Sequence, residues 1–277
     1  MQTMTLSVDG QNVHAATGGR AHQAGFPLAV LVHGAGMDHT VWALQSRWLA
    51  FNGMNVLSLD LPGHGQSAGE PLASIDAGAG FLAGVLEAVG AEHAAVIGHS
   101  MGALIALEFA ARHPGKLSHL CLLGAALSMP VHPTLLAAAA ANSHEAIDMV
   151  NLWGFGARAG IGQHASPGLW MVGVGERILE RARPGVLHTD LAACNAYTNG
   201  PAAAAAVRAP TLLIAGERDQ MTPLKGARAL AAAIPGARLS VLAGSGHMMT
   251  AERPDALVTE FGQFLPVSRA RTREATA

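Results

Sequence analysis

The chain has 277 residues, half of them hydrophobic, and a net charge of −2 at pH 7. It is too apolar to be disordered, and it has no basic excess that would draw it to nucleic acid or to an anionic membrane. Only two cysteines are present, the N-terminus does not resemble a signal peptide, and no apolar run approaches the roughly 20 residues of a membrane span, so we expect a cytoplasmic protein.

Strand-like and helical segments alternate through the first half of the chain. An opening hairpin is predicted from Met4–Val8 and Asn12–Ala16. Continuous apolar runs, typical of strands buried on both faces, then alternate with helical spacing. The predicted strands are Leu28–Val32, Asn55–Leu59, Ala94–Ile97 and Leu117–Leu123, and the predicted helices are Trp42–Phe51, Ser74–Val89 and Gly102–Arg112. This alternation predicts βαβ units and a mostly parallel sheet.

The pattern changes from about Leu127 to Ala206, where alanine-rich runs predict helices and loops. Alternation then resumes, with predicted strands Thr211–Ala215 and Arg238–Leu242 and predicted helices Pro223–Ala233 and Ala256–Leu265. We therefore predict one α/β domain formed by residues 1–126 and 207–265. A helical insertion, residues 127–206, interrupts it, and residues 266–277 form a flexible tail.

A candidate nucleophile lies in Gly98-His-Ser-Met-Gly102, between a predicted strand and a predicted helix. A turn this sharp strains the serine backbone, and the flanking glycines remove Cβ clashes with the strand and the helix. The turn exposes the Ser100 hydroxyl beside a helix N-terminus, which stabilises negative charge. The short pattern alone is only moderately specific, so an incidental serine in a strand–turn–helix remains the alternative.

A serine hydroxyl needs a base, and the base needs a carboxylate to orient it. His247 follows the last predicted strand in a glycine-rich loop, and Asp219 follows the strand Thr211–Ala215. Glu217 is the rival carboxylate in that loop, but its longer side chain is nearer to the strand. The resulting order Ser100, Asp219, His247 differs from the orders of the chymotrypsin and subtilisin folds.

Other histidines have simpler explanations. His99 lies inside the turn and is expected to point away from Ser100, whereas His33 and His64 lie in glycine-rich turns and are expected to be structural.

The negative charge of a tetrahedral intermediate requires backbone N–H donors. We expect one from Met101, directly after the nucleophile, and a second from the loop His33-Gly-Ala-Gly36, which follows a buried strand. Ala35 is the favoured donor in that loop and Gly36 the second choice. The alternative is that this loop is merely a tight βα turn.

Together these motifs resemble the α/β-hydrolase superfamily over residues 1–265. The matching segments are His33-Gly34, Asp60-Leu-Pro-Gly-His-Gly-Gln-Ser67, Gly98–Gly102, Gly216-Glu-Arg-Asp219 and Gly246-His247. The resemblance implies an α/β-hydrolase fold in which Asp60 and Ser67 are structural. It also implies that residues 127–206, called the cap below, cover the nucleophile and shape the substrate pocket. Candidate substrate contacts are Gly36, Trp153, Trp170 and Met171, although the last three are equally explained as cap core.

Ser100 argues against haloalkane dehalogenases and epoxide hydrolases, which use a carboxylate nucleophile, and no metal-binding motif or cofactor requirement is evident. We expect hydrolysis of a small or medium carboxylic ester. A lactonase or a C–C bond hydrolase of aromatic degradation would use the same triad, and a ligand-binding protein on this fold is a further alternative. C–C hydrolases usually need cationic or polar groups for an acidic substrate. The cap offers Arg158, Arg177, Arg181 and Arg183, although such arginines more often form a solvated face.

Overall fold

The computed structural model describes residues 2–160 and 170–268, which contain one eight-stranded sheet. Its strands are β1 Thr3–Val8, β2 Gln11–Ala16, β3 Leu28–Val32, β4 Asn55–Leu59, β5 Ala94–His99, β6 Leu117–Leu123, β7 Thr211–Gly216 and β8 Arg238–Leu242. They lie in the order β1-β2-β4-β3-β5-β6-β7-β8. Strand β2 pairs antiparallel with β1 and β4, and all other pairs are parallel. The architecture is the α/β-hydrolase fold that the motifs imply.

Helices cover both faces of the sheet and fill the interval between β6 and β7. They are α1 Ala43–Phe51, α2 Ile75–Val89, α3 Met101–Arg112, α4 Pro133–Ala140, α5 His144–Gly154, α6 Ala157–Gly160, α7 Met171–Glu180, α8 Val186–Ala196, α9 Gly200–Ala206, α10 Leu224–Ala233, α11 Met249–Glu252 and α12 Pro254–Phe264.

Alternating side chains of the central strands supply two apolar cores, one on each face of the sheet. On β3, Val30 packs in the core that α2, α3 and α10 cover, whereas Leu31 packs in the core beneath α1 and α12. Because strand side chains alternate in direction, a strand buried on both faces must be apolar throughout. That requirement explains why the uninterrupted apolar run Leu28–Val32 predicts the observed bounds of β3.

The cap packs around an apolar cluster of its own. Side chains of α4, α5, α7 and α8 form this cluster with Met37 and Met248 of the main domain. By contrast, α9 and the end of α8 contribute Ala203 and Cys194 to the core that contains α3. The last part of the cap therefore packs in a core of the main domain.

After α12 the described part of the chain continues through a short irregular segment, Pro266–Ser268. Most of the predicted tail, residues 269–277, lies outside the described residues. No helix of the described ranges combines the length and the hydropathy that a bilayer crossing would need.

Candidate active site

The turn between β5 and α3 holds Ser100 with φ 54° and ψ −119°, a backbone conformation that is strained for a residue with a side chain. A Cβ on Gly98 would collide with the backbone of Gly102, and a Cβ on Gly102 would collide with the backbone after β3. The Ser100 N–H donates to the carbonyl of Leu123 at 2.9 Å, which fixes the turn against β6. Both glycines are thus required for the turn that presents the serine.

His247 and Asp219 form a buried pair at the carboxyl ends of β8 and β7. His247 Nδ1 lies 2.8 Å from Asp219 Oδ2, and their side chains are 2% and 0% exposed. A carboxylate only accepts, so Nδ1 carries the proton and Nε2 of the neutral ring is a free acceptor. Within the described ranges Nε2 has no hydrogen-bond partner, and His247 lines the same cavity as Ser100.

Asp219 is held in place by its own loop. Its Oδ1 accepts from the N–H groups of Met221 and Thr222 at 2.9 and 2.7 Å, and its Oδ2 accepts from the Thr222 hydroxyl at 2.7 Å. Burial works to raise the pKa of Asp219, but the charge and hydrogen bond of His247 and the bonds from Thr222 outweigh it and lower the pKa. The carboxylate is therefore ionised and oriented before any ligand binds.

Glu217, the rival carboxylate, is directed elsewhere. Its Oε2 accepts from the N–H of Gly244 at 2.8 Å, and 46% of its side chain is exposed. The geometry therefore pairs His247 with Asp219.

The loop His33–Gly36, called the oxyanion loop below, lies against the serine. A Cβ on Gly34 would be only 3.2 Å from the Cβ of Ser100, so the loop approaches closely because this residue has no side chain. Gly36 is the second-choice oxyanion donor, but its N–H donates to a carboxylate oxygen of Asp190 at 2.8 Å. Ala35, which lines the cavity, is left as the favoured donor in the loop.

The other expected donor, the N–H of Met101, belongs to the first residue of α3. The first four N–H groups of a helix have no intrahelical acceptor, and together they concentrate positive charge at its N-terminus. A negative charge that develops beside Ser100 would meet these groups.

A cavity of about 320 Å³ lies between the cap and the carboxyl edge of the sheet. Ser100 and His247 line it, and apolar side chains from the cap form most of the remaining wall. Its lining residues are Ala35, Met37, Ser100, Met129, Pro130, Val131, His132, Leu135, Val150, Trp153, Leu187, Leu191, Cys194, Gln220, Met221, Thr222 and His247. No lysine, arginine, aspartate or glutamate is among these described residues.

The four candidate substrate contacts differ in position. Trp153 lines the cavity, and its ring makes an edge contact with His132 at a centroid distance of 5.7 Å. Trp170 is 66% exposed and does not line the cavity, and Met171 is buried in the apolar cluster of the cap. Gly36 packs against the cap leucines Leu187 and Leu179 instead. Of the four, the geometry therefore supports only Trp153 as a cavity contact.

His33 and His99 are buried and uncharged. Burial is the main cause that lowers the pKa of His33 to about 4 and that of His99 to about 3. His33 Nδ1 donates to the carbonyl of Gly34, and its Nε2 accepts from the N–H of Leu61 at 3.1 Å. His99 Nε2 donates to the carbonyl of His247. Both rings therefore support the loops of the site.

Sequence reasoning missed His39, a partner of the Asp60 turn. Asp60 accepts at 2.7 Å from the N–H of His39 and at 2.8 Å from its ring, and it also accepts from the N–H of Gln66. The Ser67 hydroxyl donates to the Asp60 carbonyl and accepts from the N–H of His14. These bonds give Asp60 and Ser67 structural contacts, and no local sequence signal indicates that His39 lies beside Asp60.

Two groups of described side chains have the spacing to hold a metal ion. They are His14, His39 and Asp60, and His144, Glu176 and Glu180. The first group already satisfies its carboxylate with His39 and Gln66, and the second is largely exposed on the cap. Neither group contributes a residue to the cavity that Ser100 lines.

Comparison with known proteins relates the chain to a family of hydrolases. The family model described as "Alpha/beta hydrolase family" matches residues 29–260. The chain is 32% identical to a 2-hydroxymuconate semialdehyde hydrolase of Pseudomonas sp. (strain CF600), over 87% of each chain. It is also 32% identical to a pimeloyl-[acyl-carrier protein] methyl ester esterase of Aromatoleum aromaticum, over 83% of this chain and 94% of that protein. The enol-lactonase of Burkholderia xenovorans LB400 superposes with a TM-score of 0.85 at 25% identity, covering 95% of this chain and 99% of that one.

Proposed function

The chain belongs to the alpha/beta hydrolase family, and from this premise we propose that it is a serine hydrolase that cleaves a small or medium, uncharged carboxylic ester. Ser100 is the nucleophile, His247 the general base and acid, and Asp219 the carboxylate that orients His247. The proposal requires no metal or cofactor for these steps.

One observation carries the proposal. The Asp219–His247 hydrogen bond of 2.8 Å leaves Nε2 of His247 without a partner among the described residues, and His247 lines the same cavity as Ser100. A strained serine, an oriented histidine and a buried carboxylate are the three parts that activate a hydroxyl nucleophile.

In the first half of the reaction, Nε2 of His247 takes the proton of the Ser100 hydroxyl as Oγ bonds to the ester carbonyl carbon. The carbonyl oxygen becomes an oxyanion, which accepts from the N–H groups of Met101 and Ala35. Asp219 stabilises the imidazolium through Nδ1–H. The bond to the leaving alcohol then breaks, and Nε2 returns the proton to the alcohol oxygen, so that an acyl-enzyme remains.

In the second half, Nε2 of His247 takes a proton from water as the water oxygen bonds to the acyl carbon. The same N–H groups hold the second oxyanion. The bond between the acyl carbon and Ser100 Oγ then breaks, Oγ recovers its proton from His247, and the carboxylic acid leaves.

The cavity favours a neutral substrate. Its wall has no lysine or arginine among the described residues, so a substrate carboxylate would lose hydration there without gaining an ion pair to either. Three of the four cap arginines are engaged elsewhere. Arg177 pairs with Glu180, Arg181 pairs with Asp38, and Arg183 donates to backbone carbonyls of the main domain. This argues against a C–C hydrolase acting on an acidic ring-fission product.

A lactonase is the second candidate, because a lactone is a cyclic ester that the same steps would open. The observation that favours it is the likeness to the solved enol-lactonase over 95% of this chain. A lactone differs from an open ester in that its alcohol stays attached to the acyl group after the first half of the reaction.

The proposal is tested by labelling with a fluorophosphonate, which reacts with an activated serine. We expect the wild-type chain to be labelled and Ser100→Ala to be unlabelled. Equal labelling of the two, or none of either, would contradict the proposal, and absence of labelling in a folded wild-type chain would favour a ligand-binding protein.

The substrate class is tested with a panel of p-nitrophenyl esters of graded acyl length, together with lactones and vinylogous 1,5-diketone acids. We expect neutral esters of short or medium acyl length to be hydrolysed fastest. Faster turnover of the acids would contradict the neutral-substrate assignment, and faster turnover of the lactones would favour the second candidate.

A further inference from the structure

Asp190 of the cap helix α8 reaches the oxyanion loop across a sequence separation of 154 residues. Its Oδ2 accepts from the N–H of Gly36 at 2.8 Å and contacts His64 Nε2 at 2.8 Å. The side chains of Asp190 and His64 are each 1% exposed. A single carboxylate oxygen therefore joins the cap, the oxyanion loop and the turn after β4, and it does so out of contact with water.

The ring of His64 is held by carbonyl and carboxylate oxygens on both sides. Nδ1 lies 2.9 Å from the carbonyl of Pro62, which can only accept, so Nδ1 carries a proton. Nε2 faces the carboxylate of Asp190, and a ring that donates to both oxygens carries a proton on each nitrogen. Burial works to lower the pKa of His64, but the hydrogen bond and charge of Asp190 outweigh it and raise the pKa. A carboxylate binds an N–H more strongly than a neutral acceptor does, so the bond from Asp190 restrains Gly36.

The same cap helix also contacts Gly36 through an apolar side chain. A Cβ on Gly36 would lie 2.9 Å from Leu187 Cδ1, and the residue has φ 68°. Gly36 is thus enclosed between Leu187 and the carboxylate of Asp190, both on α8. Ala35, whose N–H is the proposed oxyanion donor, directly precedes Gly36, so these contacts of the cap also restrain Ala35.

We propose that Asp190 is a positioning residue that sets the oxyanion loop, and with it the N–H of Ala35, for the tetrahedral intermediate; this inference rests on the proposed function. An oxyanion donor acts only within about 2.7–3.1 Å of the position that the charge will occupy, so small displacements of the loop are costly. Asp190 also occupies the N–H of Gly36, so this N–H is not available to the substrate.

The test compares Asp190→Ala with Asp190→Asn. The alanine leaves Gly36 and His64 without their acceptor, and we expect kcat to fall on the order of 10²-fold, the usual cost of a lost oxyanion donor, while KM stays within about twofold. Asparagine has the same shape and can still accept from Gly36, so we expect it to restore part of the activity. Should the alanine variant not fold, Asp190→Asn carries the test, with an expected loss of about tenfold in kcat from the weaker neutral acceptor.

Arg183→Ala is the matched control, because it removes contacts between the cap and the main domain without touching the oxyanion loop. Arg183 donates to the carbonyls of Gly63 and Gly69 at 2.9 and 2.7 Å. We expect its kcat to stay within about twofold of the wild type. An equal loss of kcat in both variants would show that Asp190 merely attaches the cap, and would overturn the proposal.

Two inhibitors separate positioning from general loss of structure. A trifluoromethyl ketone with the best acyl chain of the ester panel adds to the serine and forms an oxyanion, whereas the methyl ketone of the same chain serves as its weakly reactive counterpart. We expect Asp190→Ala to weaken the first by about the factor lost from kcat and the second by less than about twofold. Equal weakening of both ketones, or retention of wild-type kcat in folded Asp190→Ala and Asp190→Asn, would overturn the role of Asp190.

A spectroscopic measurement tests the pair without catalysis. In ¹⁵N-histidine-labelled protein, we expect both ring nitrogens of His64 to be protonated in the wild type, and one of them to lose its proton in Asp190→Asn. A neutral His64 ring in the wild type would overturn the charged pair. If Ser100→Ala were as active as the wild type, the proposed function itself would fail, and the role of Asp190 with it. If Ser100→Ala were inactive but both Asp190 variants kept the wild-type kcat, only the inference about Asp190 would be overturned.

Discussion

The imidazole ring of His99 lies against that of His247, with 4.8 Å between ring centroids, and its Nε2 donates to the His247 backbone carbonyl at 2.9 Å. The residue that precedes the candidate nucleophile thus supports the candidate base, which is 148 residues away in sequence. Burial, followed by the charge of His247, lowers the pKa of His99 to about 3. His99 is therefore an uncharged support at neutral pH.

This burial of His99 predicts a loss of stability in acid. Below pH 6.5 the unfolded chain binds a proton at His99, whereas the folded chain does not until about pH 3, so the free energy of unfolding falls as the pH drops through this interval. The expected contribution is about 1 kcal/mol per pH unit. Urea unfolding of the wild type and of His99→Gln at pH 7.5, 6.0 and 5.0 measures it. We expect a shallower pH dependence in the variant, and parallel curves would contradict the assignment.

Gly124, at the end of β6, leaves room for the candidate base. A Cβ there would lie 2.9 Å from His247 Cε1 and 3.0 Å from Nδ1. Gly124→Ala should displace the ring and lower kcat on the order of 10²-fold, since small displacements of a reacting group have effects of this size. Gly236→Ala is the control, because Gly236 also has positive φ but no atom within 4 Å of an added Cβ. Equal kcat in the two variants would contradict the expectation.

The choice between the two carboxylates of the β7 loop can be measured. Asp219→Asn removes the charge that orients His247 and should lower kcat about 10⁴-fold. Glu217→Gln should keep kcat within about twofold, because Glu217 bonds to the N–H of Gly244 rather than to the histidine. The measurement is kcat of both variants with the best p-nitrophenyl ester, with circular dichroism to verify that they fold. A larger loss in the glutamine variant would reverse the assignment.

Two tryptophans of the cap provide a test of the acyl pocket. Trp153→Ala enlarges the cavity of about 320 Å³ and should move the preferred p-nitrophenyl ester to a longer acyl chain. Trp170→Ala should leave the preference unchanged, because Trp170 is 66% exposed and lies outside the cavity wall. The measurement is the ratio of kcat/KM across acyl lengths. An identical profile in wild type and Trp153→Ala would remove Trp153 from the proposed pocket.

Local sequence signals account for most of the main domain. The apolar run of β3 predicts its bounds because a strand buried on both faces requires apolar residues throughout. The glycines around Ser100 and the order Ser100, Asp219, His247 can be recognised from short motifs, because each motif lies at or just after the carboxyl end of a predicted strand. These features can be derived from neighbouring residues alone.

Features that depend on how the cap packs could not be derived in this way. Gly36 and Asp190 are 154 residues apart, and no periodicity of either segment indicates that they meet. Trp170 and Met171 are adjacent apolar residues in a glycine-rich stretch, yet one is exposed and the other buried. Their residue types predict that both contact the substrate. However, α7 begins at Met171, which packs in the apolar cluster of the cap, and Trp170 just before it is exposed.

The position of His247 beyond β8 has a consequence for the order of assembly. Strand β8 lies at the edge of the sheet beside β7, and β7 reaches β6 across the whole cap, with Leu120 opposite Thr211. Pairings between distant segments form late because chain entropy opposes them. The histidine therefore reaches the serine only when this final strand has joined. In refolding from urea, recovery of hydrolysis should lag behind recovery of the helical circular dichroism signal. The time at which activity appears would then report when the sheet is complete.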